Sequence, residues 1–297
     1  MRSMNRLANK VMLITGAGSG LGRHVALLAA SEGATIVVTD VVASRIQPVV
    51  EAIVDKGGIA TGVTADVRVE ADIEAAMKFA VDTYGRLDIA HANAGVTMPG
   101  QGSVAFEDVT VEQWNAVNDV NLLGVFLTIK HAVRAMKSTG GGSIVVTSSA
   151  ASLVAYPGFG AYVAGKAGVN GLVRAAAFDF GKYGIRVNAT CPTHGMSVNF
   201  GLDPTAEVVG LSYEELAENW DPAGAVMPLR LPFPPGIDHN AWPVIFLASD
   251  ESQYMSGVCF PTADGGQHAR VSIPFPENWT LSQEAEGVDV GTEGAVQ

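Results

Sequence analysis

The sequence predicts an α/β domain built around one doubly wound parallel sheet. The first observation is a series of short, β-branched apolar runs without alternation, which is typical of strands buried on both faces of a parallel sheet. The second is that longer stretches with helical periodicity separate these runs. Strands that alternate with helices indicate βαβ units with right-handed crossovers. Ligands of such sheets bind beyond the carboxyl ends of the strands, so the chemistry is expected at that edge.

Seven strands are predicted in order along the chain. The first run is apolar and ends at glycines, the second reads TIVVTD, and the third is the weakest. The fourth, fifth and sixth read LDIAHAN, SIVVTSS and IRVNATCP. The predicted ranges are 11–15, 35–40, 60–67, 87–93, 143–149, 185–192 and 257–263. Helical stretches lie between them, at 20–32, 44–56, 70–84, 110–138, 160–182 and about 241–249.

Two regions break this alternation. Residues 193–243 carry seven of the 14 prolines and three hydrophobic clusters but no strand, which predicts a lid or binding loop. Residues 268–297 carry five acidic side chains and one basic one, with no regular period after about residue 281. The predicted organisation is therefore one catalytic domain over 1–267, which includes the lid, followed by an acidic tail.

Composition excludes several classes of protein. Of 297 residues, 48% are hydrophobic and 16% are charged, which excludes a disordered chain, a coiled coil and a collagen. The net charge is −12, from 30 acidic and 18 basic residues, and this argues against binding to nucleic acid or to an anionic membrane surface. Length alone favours two domains, although a single α/β domain also reaches about 250 residues.

Cysteines and hydropathy point to a compartment. Cys191 and Cys259 lie in apolar, strand-like runs, so buried thiols are expected rather than a disulfide framework or a metal cluster, and no metal site is predicted. Residues 1–10 lack the apolar core and cleavage site of a signal peptide, and no run of 18 apolar residues occurs. We therefore expect a cytoplasmic protein.

A glycine-rich turn, TGAGSGLG at 15–22, follows the first predicted strand and precedes an apolar helix. Gly16, Gly20 and Gly22 permit a tight turn, close approach of a pyrophosphate to the backbone and close packing of the helix on the strand. The N–H groups and the partial positive charge of the helix N-terminus would face the phosphates. A strand before the turn and a helix after it support a dinucleotide site.

Asp40 ends the second predicted strand, about 20 residues after the glycine turn. Its carboxylate can accept hydrogen bonds from both ribose hydroxyls of an adenosine and would repel a 2′-phosphate. Neither Arg nor Lys occupies positions 17–19, 41 or 42 to offset that repulsion. We therefore predict NAD rather than NADP. The alternative is that Asp40 is a solvated turn residue at a strand end.

Tyr162 and Lys166 are four residues apart and so share one face of a predicted helix. A lysine ammonium beside a phenol stabilises the phenolate, which predicts that the pKa of Tyr162 is lowered toward the working pH. Such a tyrosine exchanges a proton with an alcohol or a ketone. Ser149 ends the fifth predicted strand and therefore faces the same crevice as the glycine turn.

With these motifs in order, the chain resembles the short-chain dehydrogenase/reductase family, in its compact one-domain branch. The matching segments are the glycine turn, Asp66-Val67, Asn93-Ala94-Gly95, Asn121, Ser149, Tyr162 with Lys166, and DGG at 264–266, and they cover about residues 8–267. The resemblance implies a Rossmann-type fold whose seven parallel strands run in the order 3-2-1-4-5-6-7, with helices on both faces.

The resemblance also implies catalytic roles. Tyr162 would be the acid/base, and Ser149 would hydrogen-bond the substrate oxygen. Lys166 would hold the nicotinamide ribose and tune Tyr162. Asn121 would anchor a water that relays protons.

Cofactor contacts follow from the same resemblance. Asp66 and Val67 would contact adenine, and Asn93 would pack along the cofactor. The residues expected to bind NAD are Gly16, Ser19, Gly20, Leu21, Gly22, Asp40, Asp66, Val67, Asn93, Ala94, Gly95, Tyr162, Lys166, Pro192 and Ser197. His91, next to Asn93, is expected to be a strand residue with a satisfied ring.

The segment after the sixth strand departs from the family pattern Pro-Gly-x-x-x-Thr. Pro192 is kept, Thr193 replaces the glycine, and Ser197 supplies a hydroxyl where the family binds the nicotinamide carboxamide. The loop that follows is longer than usual in the family. The residues considered for substrate contact are Leu153, Tyr156, Phe159, His194 and Met196, with packing or a solvent partner as the alternative for each.

These residues predict reversible hydride transfer between a secondary alcohol and NAD, with Tyr162 as acid/base. The lid is apolar and holds a single basic residue, Arg230. This favours a small, neutral, lipophilic substrate, such as a cyclic, aromatic or steroid-like alcohol or ketone, over a phosphorylated sugar or a thioester.

Two alternatives stay open. A catalytically silent dinucleotide sensor or scaffold would be expected to have lost Ser149, Tyr162 or Lys166. A sugar-nucleotide epimerase or dehydratase spaces its glycines differently and carries a larger C-terminal domain. By analogy with the family, a homotetramer or homodimer is expected through the helices at 110–138 and 160–182. Small residues of the second helix permit close packing, namely Ala164, Gly168, Gly171 and Ala175.

Overall fold

The computed structural model describes residues 4–97, 104–193, 217–218, 220–221 and 231–263. These residues form a sheet of seven parallel strands in the order β3-β2-β1-β4-β5-β6-β7. The strands are β1 Val11–Thr15, β2 Thr35–Asp40, β3 Ile59–Thr64, β4 Ile89–Ala92, β5 Gly142–Thr147, β6 Ile185–Pro192 and β7 Cys259–Thr262. The predicted fold class and strand order are therefore confirmed.

Helices cover both faces of this sheet. They are α1 Gly20–Ser31, α2 Ile46–Val54, α3 Glu70–Tyr84, α4 Val111–Asn118, α5 Gly124–Thr139, α6 Gly160–Phe180 and α7 Asp238–Ala248. Successive residues of a strand point to opposite faces. Leu13 of β1 packs with residues of α3, α5 and α6, whereas its neighbour Ile14 packs with residues of α1, α2 and α7. Each such buried side chain contributes about 1.5–3 kcal/mol, which explains the continuous apolar runs in the sequence.

Four strands end earlier than the sequence predicted, and β7, which ends at Thr262, is one of them. The structure ends β3 at Thr64, β4 at Ala92 and β5 at Thr147. Asp66, Asn93 and Ser149 consequently lie just beyond the strands. At the first of these ends, the backbone N–H of Asp66 donates to the side chain of Asp72, which turns the chain into α3. The three polar residues thus share the carboxyl edge of the sheet.

The prediction of one continuous helix over 110–138 is wrong in one respect. Residues Asp119–Leu123 form a π-helical turn between α4 and α5. In this turn Asn121 is buried, and its amide exchanges two hydrogen bonds with Val96. The backbone N–H of Val96 donates to Asn121 Oδ1 at 2.9 Å, and Asn121 Nδ2 donates to the Val96 carbonyl at 2.8 Å. Such turns interrupt helices at functional sites more often than elsewhere.

The C-terminal part of the predicted domain is described in part. The helix α7 begins at Asp238, so residues 238–243, at the end of the predicted lid range, are helical. Most of the lid, and the whole tail at 268–297, lie outside the described residues. Both thiols are free, with Cys191 buried and Cys259 half-buried. No helix in the described ranges is both long and apolar enough to cross a membrane.

Candidate active site

The glycine turn brings the end of β1 against the segment that follows β4. Gly16 has a φ of +64°, and a β-carbon there would lie 3.0 Å from the Cα atom of Ala94. A β-carbon at Gly22 would lie 2.2 Å from the backbone oxygen of Gly16 and 2.5 Å from the side chain of Asn93. Glycine is therefore required where the helix, the turn and the neighbouring loop meet.

The N-terminus of α1 fits a bound phosphate. Ser19 occupies the N-cap position with an extended backbone, and its side chain makes no capping hydrogen bond. The first N–H groups of α1 are thus not capped by this side chain, and the helix dipole adds partial positive charge at the same place. Leu21 packs into the core, so it could contact a cofactor only through its backbone.

Asp40 stands beside this turn and is only 6% exposed, which contradicts the alternative of a solvated turn residue. Its Oδ2 atom accepts a hydrogen bond from the backbone N–H of Gly18 at 3.0 Å, and its Oδ1 atom accepts from that of Val42 at 2.9 Å. A carboxylate has about four acceptor positions, so two stay available for ribose hydroxyls. The residues present therefore fit the adenosine ribose of NAD.

One basic residue near this carboxylate, Arg45, was not predicted from the sequence. The β-carbon of Arg45 would lie only 2.6 Å from a β-carbon built on Gly18. Positions 17–19, 41 and 42 hold no cation, but the 3₁₀ turn Ala43–Arg45 carries Arg45 back to the glycine turn. The sequence feature that could have revealed this residue is a basic side chain, Arg45, that follows Asp40 at the end of β2 by a few positions.

The two residues predicted to contact adenine, Asp66 and Val67, already have partners within the chain. The carboxylate of Asp66 pairs with Arg68 at 2.6 Å, and this hydrogen bond holds the pKa of the Asp66 carboxyl below its usual range. Val67 is buried against the start of α5, where a β-carbon at Gly124 would lie 2.7 Å from it. Their contact with adenine stays a prediction.

Asn93 ties three strand ends together. Its Nδ2 atom donates to the Thr15 carbonyl at 3.0 Å, and its Oδ1 atom accepts from the Thr147 hydroxyl at 3.2 Å. Because that hydroxyl donates to Asn93, His91 Nε2 donates to Thr147 Oγ1, at 2.9 Å. Burial lowers the pKa of His91 to about 3, so the ring is neutral. The expectation that the His91 ring is satisfied is wrong for Nδ1, which is buried without a hydrogen-bond partner.

The catalytic candidates converge at the carboxyl ends of β4 and β5. Tyr162, on α6, is 5% exposed and hydrogen-bonds Ser149, which follows β5. Lys166 is 2% exposed, and its Nζ atom lies 5.8 Å from the centre of the Tyr162 ring. A β-carbon at Gly95 would lie 3.3 Å from Asn121 Oδ1 and 3.6 Å from Lys166 Nζ.

The predicted lowering of the Tyr162 pKa is wrong for the protein by itself. Burial raises the pKa of Tyr162 above its ordinary range, the hydrogen bond from Ser149 acts in the opposite direction, and Tyr156 adds to the rise. Burial also lowers the pKa of Lys166 to about 8. A buried phenolate loses its hydration, and the Lys166 ammonium is directed to the Thr147 carbonyl rather than to the phenol.

Comparison with known proteins agrees with this geometry. The chain matches the short chain dehydrogenase family over residues 10–198. The chain belongs to this family. It is therefore an oxidoreductase that acts on alcohols and ketones.

Relatives of this short-chain dehydrogenase cover nearly the same length. Cyclohexanol dehydrogenase of Acinetobacter sp. (strain SE19) is 39% identical over 254 residues, which are 85% of this chain and 93% of that protein. The mitochondrial borneol dehydrogenase of Lavandula x intermedia is 37% identical over 258 residues, 86% of this chain and 89% of that one. The crystal structure of carveol dehydrogenase from Mycobacterium avium in complex with NAD is 33% identical, with a TM-score of 0.73, and covers 86% of this chain and 96% of that one.

An apolar wall adjoins Tyr162 in this short-chain dehydrogenase. The rings of Tyr156 and Phe159 are 6.1 Å apart at a tilt of 56°. Together with Val104 and Val109 they pack on the small cluster that contains Tyr162. The two valines were not predicted, because they lie between β4 and α4 beyond the Asn93-Ala94-Gly95 motif, in a stretch that carries no motif of its own. Leu153 is half-buried in the chain segment that leads to Tyr156.

The remaining site predictions fall at the end of β6. Pro192 is buried and paired with Thr262 of β7. Thr193, which replaces the family glycine, continues this pairing, since its backbone N–H donates to the Thr262 carbonyl at 3.3 Å. His194, Met196 and Ser197 lie outside the described residues. In the described part of the chain, no group of three His, Cys, Asp or Glu side chains is placed to hold a metal ion.

Proposed function

We propose that the protein interconverts a secondary alcohol and a ketone with NAD as cofactor, and that the substrate is a neutral, lipophilic ring compound. The observation that carries this proposal is the hydrogen bond between Ser149 and Tyr162 beside a buried Lys166. This group stands at the sheet edge that also holds the glycine turn and Asp40. The NAD complex of carveol dehydrogenase supports the choice of cofactor.

The chemistry of the reaction divides between cofactor and protein. Bound NAD supplies the hydride acceptor at C4 of its nicotinamide ring. Tyr162 removes the proton from the substrate hydroxyl through its phenolate oxygen, and returns it in ketone reduction. Ser149 donates a hydrogen bond to the substrate oxygen, where negative charge develops. With NAD bound, Lys166 would hold the cofactor ribose, and its positive charge would lie on the same side of the site as the phenolate.

The substrate class rests on the wall next to Tyr162. Tyr156, Phe159, Val104 and Val109 offer apolar surface and no cation to a substrate held by Ser149 and Tyr162. A phosphorylated or carboxylated substrate would need a basic partner to offset its desolvation. The named substrates of the relatives, cyclohexanol, borneol and carveol, are ring alcohols without charge.

The test is a panel of alcohols assayed for NADH formation. We expect turnover of cyclohexanol and of bicyclic and aromatic secondary alcohols, with kcat/KM at least about tenfold above that for linear or phosphorylated alcohols, a difference of about 1.4 kcal/mol. Replacing the wall with charge, as in Phe159→Lys, should reduce kcat/KM for the ring alcohols and leave NADH binding unchanged. A preference for anionic substrates, or reaction with NADP alone, would overturn the proposal.

The two alternatives have no support from these observations. A silent sensor or scaffold would not need Ser149, Tyr162 and Lys166 in one place. A sugar-nucleotide epimerase is not among the relatives described above, which are alcohol dehydrogenases.

We also propose a homotetramer or homodimer that uses α5 and α6. Support comes from a row of exposed small residues on α6 that leads to Phe178, which is 91% exposed, and from neighbouring exposed apolar residues. The row is Ala164, Gly171 and Ala175, and the neighbours are Leu123 and Phe126. Gly168 instead packs on Leu122 within the chain. Size-exclusion with light scattering should report an oligomer that Phe178→Asp dissociates; a monomeric wild type would refute it.

A cytoplasmic location stays a prediction from the sequence. Cell fractionation followed by detection of the chain would test it. Recovery in the membrane or secreted fraction would contradict it.

A further inference from the structure

One buried amide links the two elements that carry the catalytic residues. Asn170 is 2% exposed and lies on α6, one turn after Lys166 and two turns after Tyr162, so it shares their face of the helix. Its Oδ1 atom accepts a hydrogen bond from the Ser148 hydroxyl at 2.7 Å. Its Nδ2 atom donates to the Ser152 hydroxyl, also at 2.7 Å. Both the oxygen and the nitrogen of the Asn170 amide thus hydrogen-bond to the same loop, the one that carries Ser148 and Ser152.

The two serines bracket Ser149. Ser152 donates from its hydroxyl to the backbone oxygen of Ser149 at 2.5 Å, and its backbone N–H donates to the same oxygen at 3.0 Å. On the other side, the backbone N–H of Ser148 donates to the Thr190 carbonyl of β6 at 2.8 Å. The backbone on both sides of Ser149 is therefore fixed, and Asn170 attaches this loop to α6 through both functional groups of its amide.

We propose that Asn170 is a positioning residue that, through Ser148 and Ser152, sets the distance between Ser149 and Tyr162. This inference rests on the proposed function, because it assigns Ser149 and Tyr162 to the reacting oxygen. Tyr162 is carried by α6 and Ser149 by the loop after β5, so their hydrogen bond depends on the relative placement of these elements. Asn170, which is 2% exposed, joins them with two hydrogen bonds.

If position 170 served packing alone, an apolar side chain would fill it equally well. Val169 and Val173, the α6 residues on either side of Asn170, are buried in the core. A buried amide costs stability unless it is fully paired, and here each of its two functional groups has a partner on the catalytic loop. Ser152 Oγ also lies 3.7 Å from the Cys191 thiol of β6, so the serine hydroxyl is enclosed on this side as well.

Loosening Ser149 has a chemical consequence that a packing defect does not have. The hydrogen bond from Ser149 acts to lower the pKa of Tyr162 against the effect of burial. The titratable groups that bear on Tyr162 are Tyr156, from the preceding segment, and Lys166, on the same helix. Cys191, from β6, bears in turn on Lys166. None of these groups is changed when Asn170 is replaced.

The test compares Asn170→Ala with a matched control, Asn188→Ala. Asn188 is a fully buried amide of β6 that donates to the Met255 carbonyl at 2.7 Å and accepts from Val258 N–H at 3.0 Å, so it makes the same kinds of bond to a different loop. For Asn170→Ala we expect a 10- to 100-fold fall in kcat, since a misplacement of about 1 Å costs up to about 100-fold. The KM for NAD should change less than about twofold, because the cofactor residues are untouched.

The pH profile provides the second readout. In Asn170→Ala the rise of the alcohol oxidation rate should move to higher pH, since Tyr162 loses the hydrogen bond that lowers its pKa. Ser152→Ala should reproduce both effects, and the double variant should cost little more than either single one, because the three residues act as one link. Asn188→Ala should lower the thermal unfolding temperature while kcat and the pH profile stay at wild-type values.

A third readout does not depend on turnover. Crystal structures of the three proteins with NADH should show Ser149 Oγ within about 3.5 Å of Tyr162 Oη in wild type and in Asn188→Ala, but beyond that distance in Asn170→Ala. An unchanged distance in Asn170→Ala overturns the inference, as does a variant that loses stability alone. If wild type turns over no alcohol, the proposed function fails, and the measured distance still decides the role of Asn170.

Discussion

Lys166 donates a hydrogen bond from its ammonium group to the backbone oxygen of Thr147 at 2.8 Å. The lysine of the proposed catalytic pair is thus fixed to the end of β5, in a position where burial removes water from its charge. The pKa of Lys166 is lowered to about 8 by this burial. In the free protein, this buried cation is therefore bound to the sheet edge, and it lies 5.8 Å from the centre of the Tyr162 ring.

Replacing Lys166 should change how stability depends on pH. The pKa of the lysine falls from 10.5 in the unfolded chain to about 8 in the folded one, so between these values the unfolded chain binds more protons. Stability due to Lys166 consequently rises with pH across this window. Relative to Lys166→Met, wild type should gain up to roughly 3 kcal/mol of unfolding free energy there. Urea unfolding below pH 8 and near pH 10.5 measures the difference, and a difference that stays constant would contradict the assignment.

The variant Tyr162→Phe should separate catalysis from binding. It removes the proposed acid/base oxygen and keeps the buried ring, so turnover should fall by about 100- to 10,000-fold. NADH binding, followed by the fluorescence of the reduced cofactor, should keep its wild-type Kd. Turnover that stays within tenfold of wild type would mean that another group moves the proton.

Cofactor preference should depend on Asp40 and Arg45 together. Asp40→Asn keeps the shape of the side chain that accepts from Gly18 and Val42 but removes the charge that repels a 2′-phosphate. We expect the ratio of kcat/KM for NADP to that for NAD to rise by about tenfold, equivalent to about 1.4 kcal/mol.

A second substitution tests whether Arg45 contributes to binding of the 2′-phosphate. Adding Arg45→Ala to the Asp40→Asn variant should remove most of the gain for NADP, because Arg45 is then absent from beside the glycine turn. Arg45→Ala alone should leave the KM for NAD within about twofold of wild type. A double variant that keeps the full gain would show that Arg45 does not face the phosphate.

The glycine turn should tolerate no side chain at its helix junction. In Gly22→Ala the new β-carbon would meet the Gly16 oxygen at 2.2 Å, which forces the backbone apart and should cost about 1–3 kcal/mol of stability together with NADH binding. Gly181→Ala is the control. Gly181 has a helical φ of −55° with no atom within 4 Å of a β-carbon, so stability should hold or rise by up to about 1 kcal/mol. Equal effects at both positions would contradict this account.

Much of the site could be predicted because chemistry and topology coincide in the sequence. The strands are continuous apolar runs since both faces of the sheet are covered, and this pattern placed their carboxyl ends on one edge. Ser149, Tyr162 and Lys166 could then be assigned to a common crevice, where the structure brings them together. Asp40 was predicted for the same reason, as the acidic end of the second strand.

What could not be predicted depends on contacts between distant parts of the chain. Arg45 comes to the glycine turn through a 3₁₀ turn that propensity does not reveal. The pKa of Tyr162 depends on the depth of its burial, which spacing along a helix does not report. Asn170 carries no motif, and its role becomes visible only once α6 is seen against the loop that holds Ser149.

The π-helical turn at Asp119–Leu123 explains why one helix can serve two surfaces. An extra residue in a turn rotates everything beyond it by roughly 100° relative to an unbroken α-helix. On a helical wheel, the apolar stripes of α4 and α5 are therefore out of phase. Val117 of α4 faces the cluster around Tyr162, whereas Val125 and Ile129 of α5 face the main core. Loss of one residue from this turn would restore a single helical wheel, and either Val117 of α4 or the core residues of α5 would then point at solvent.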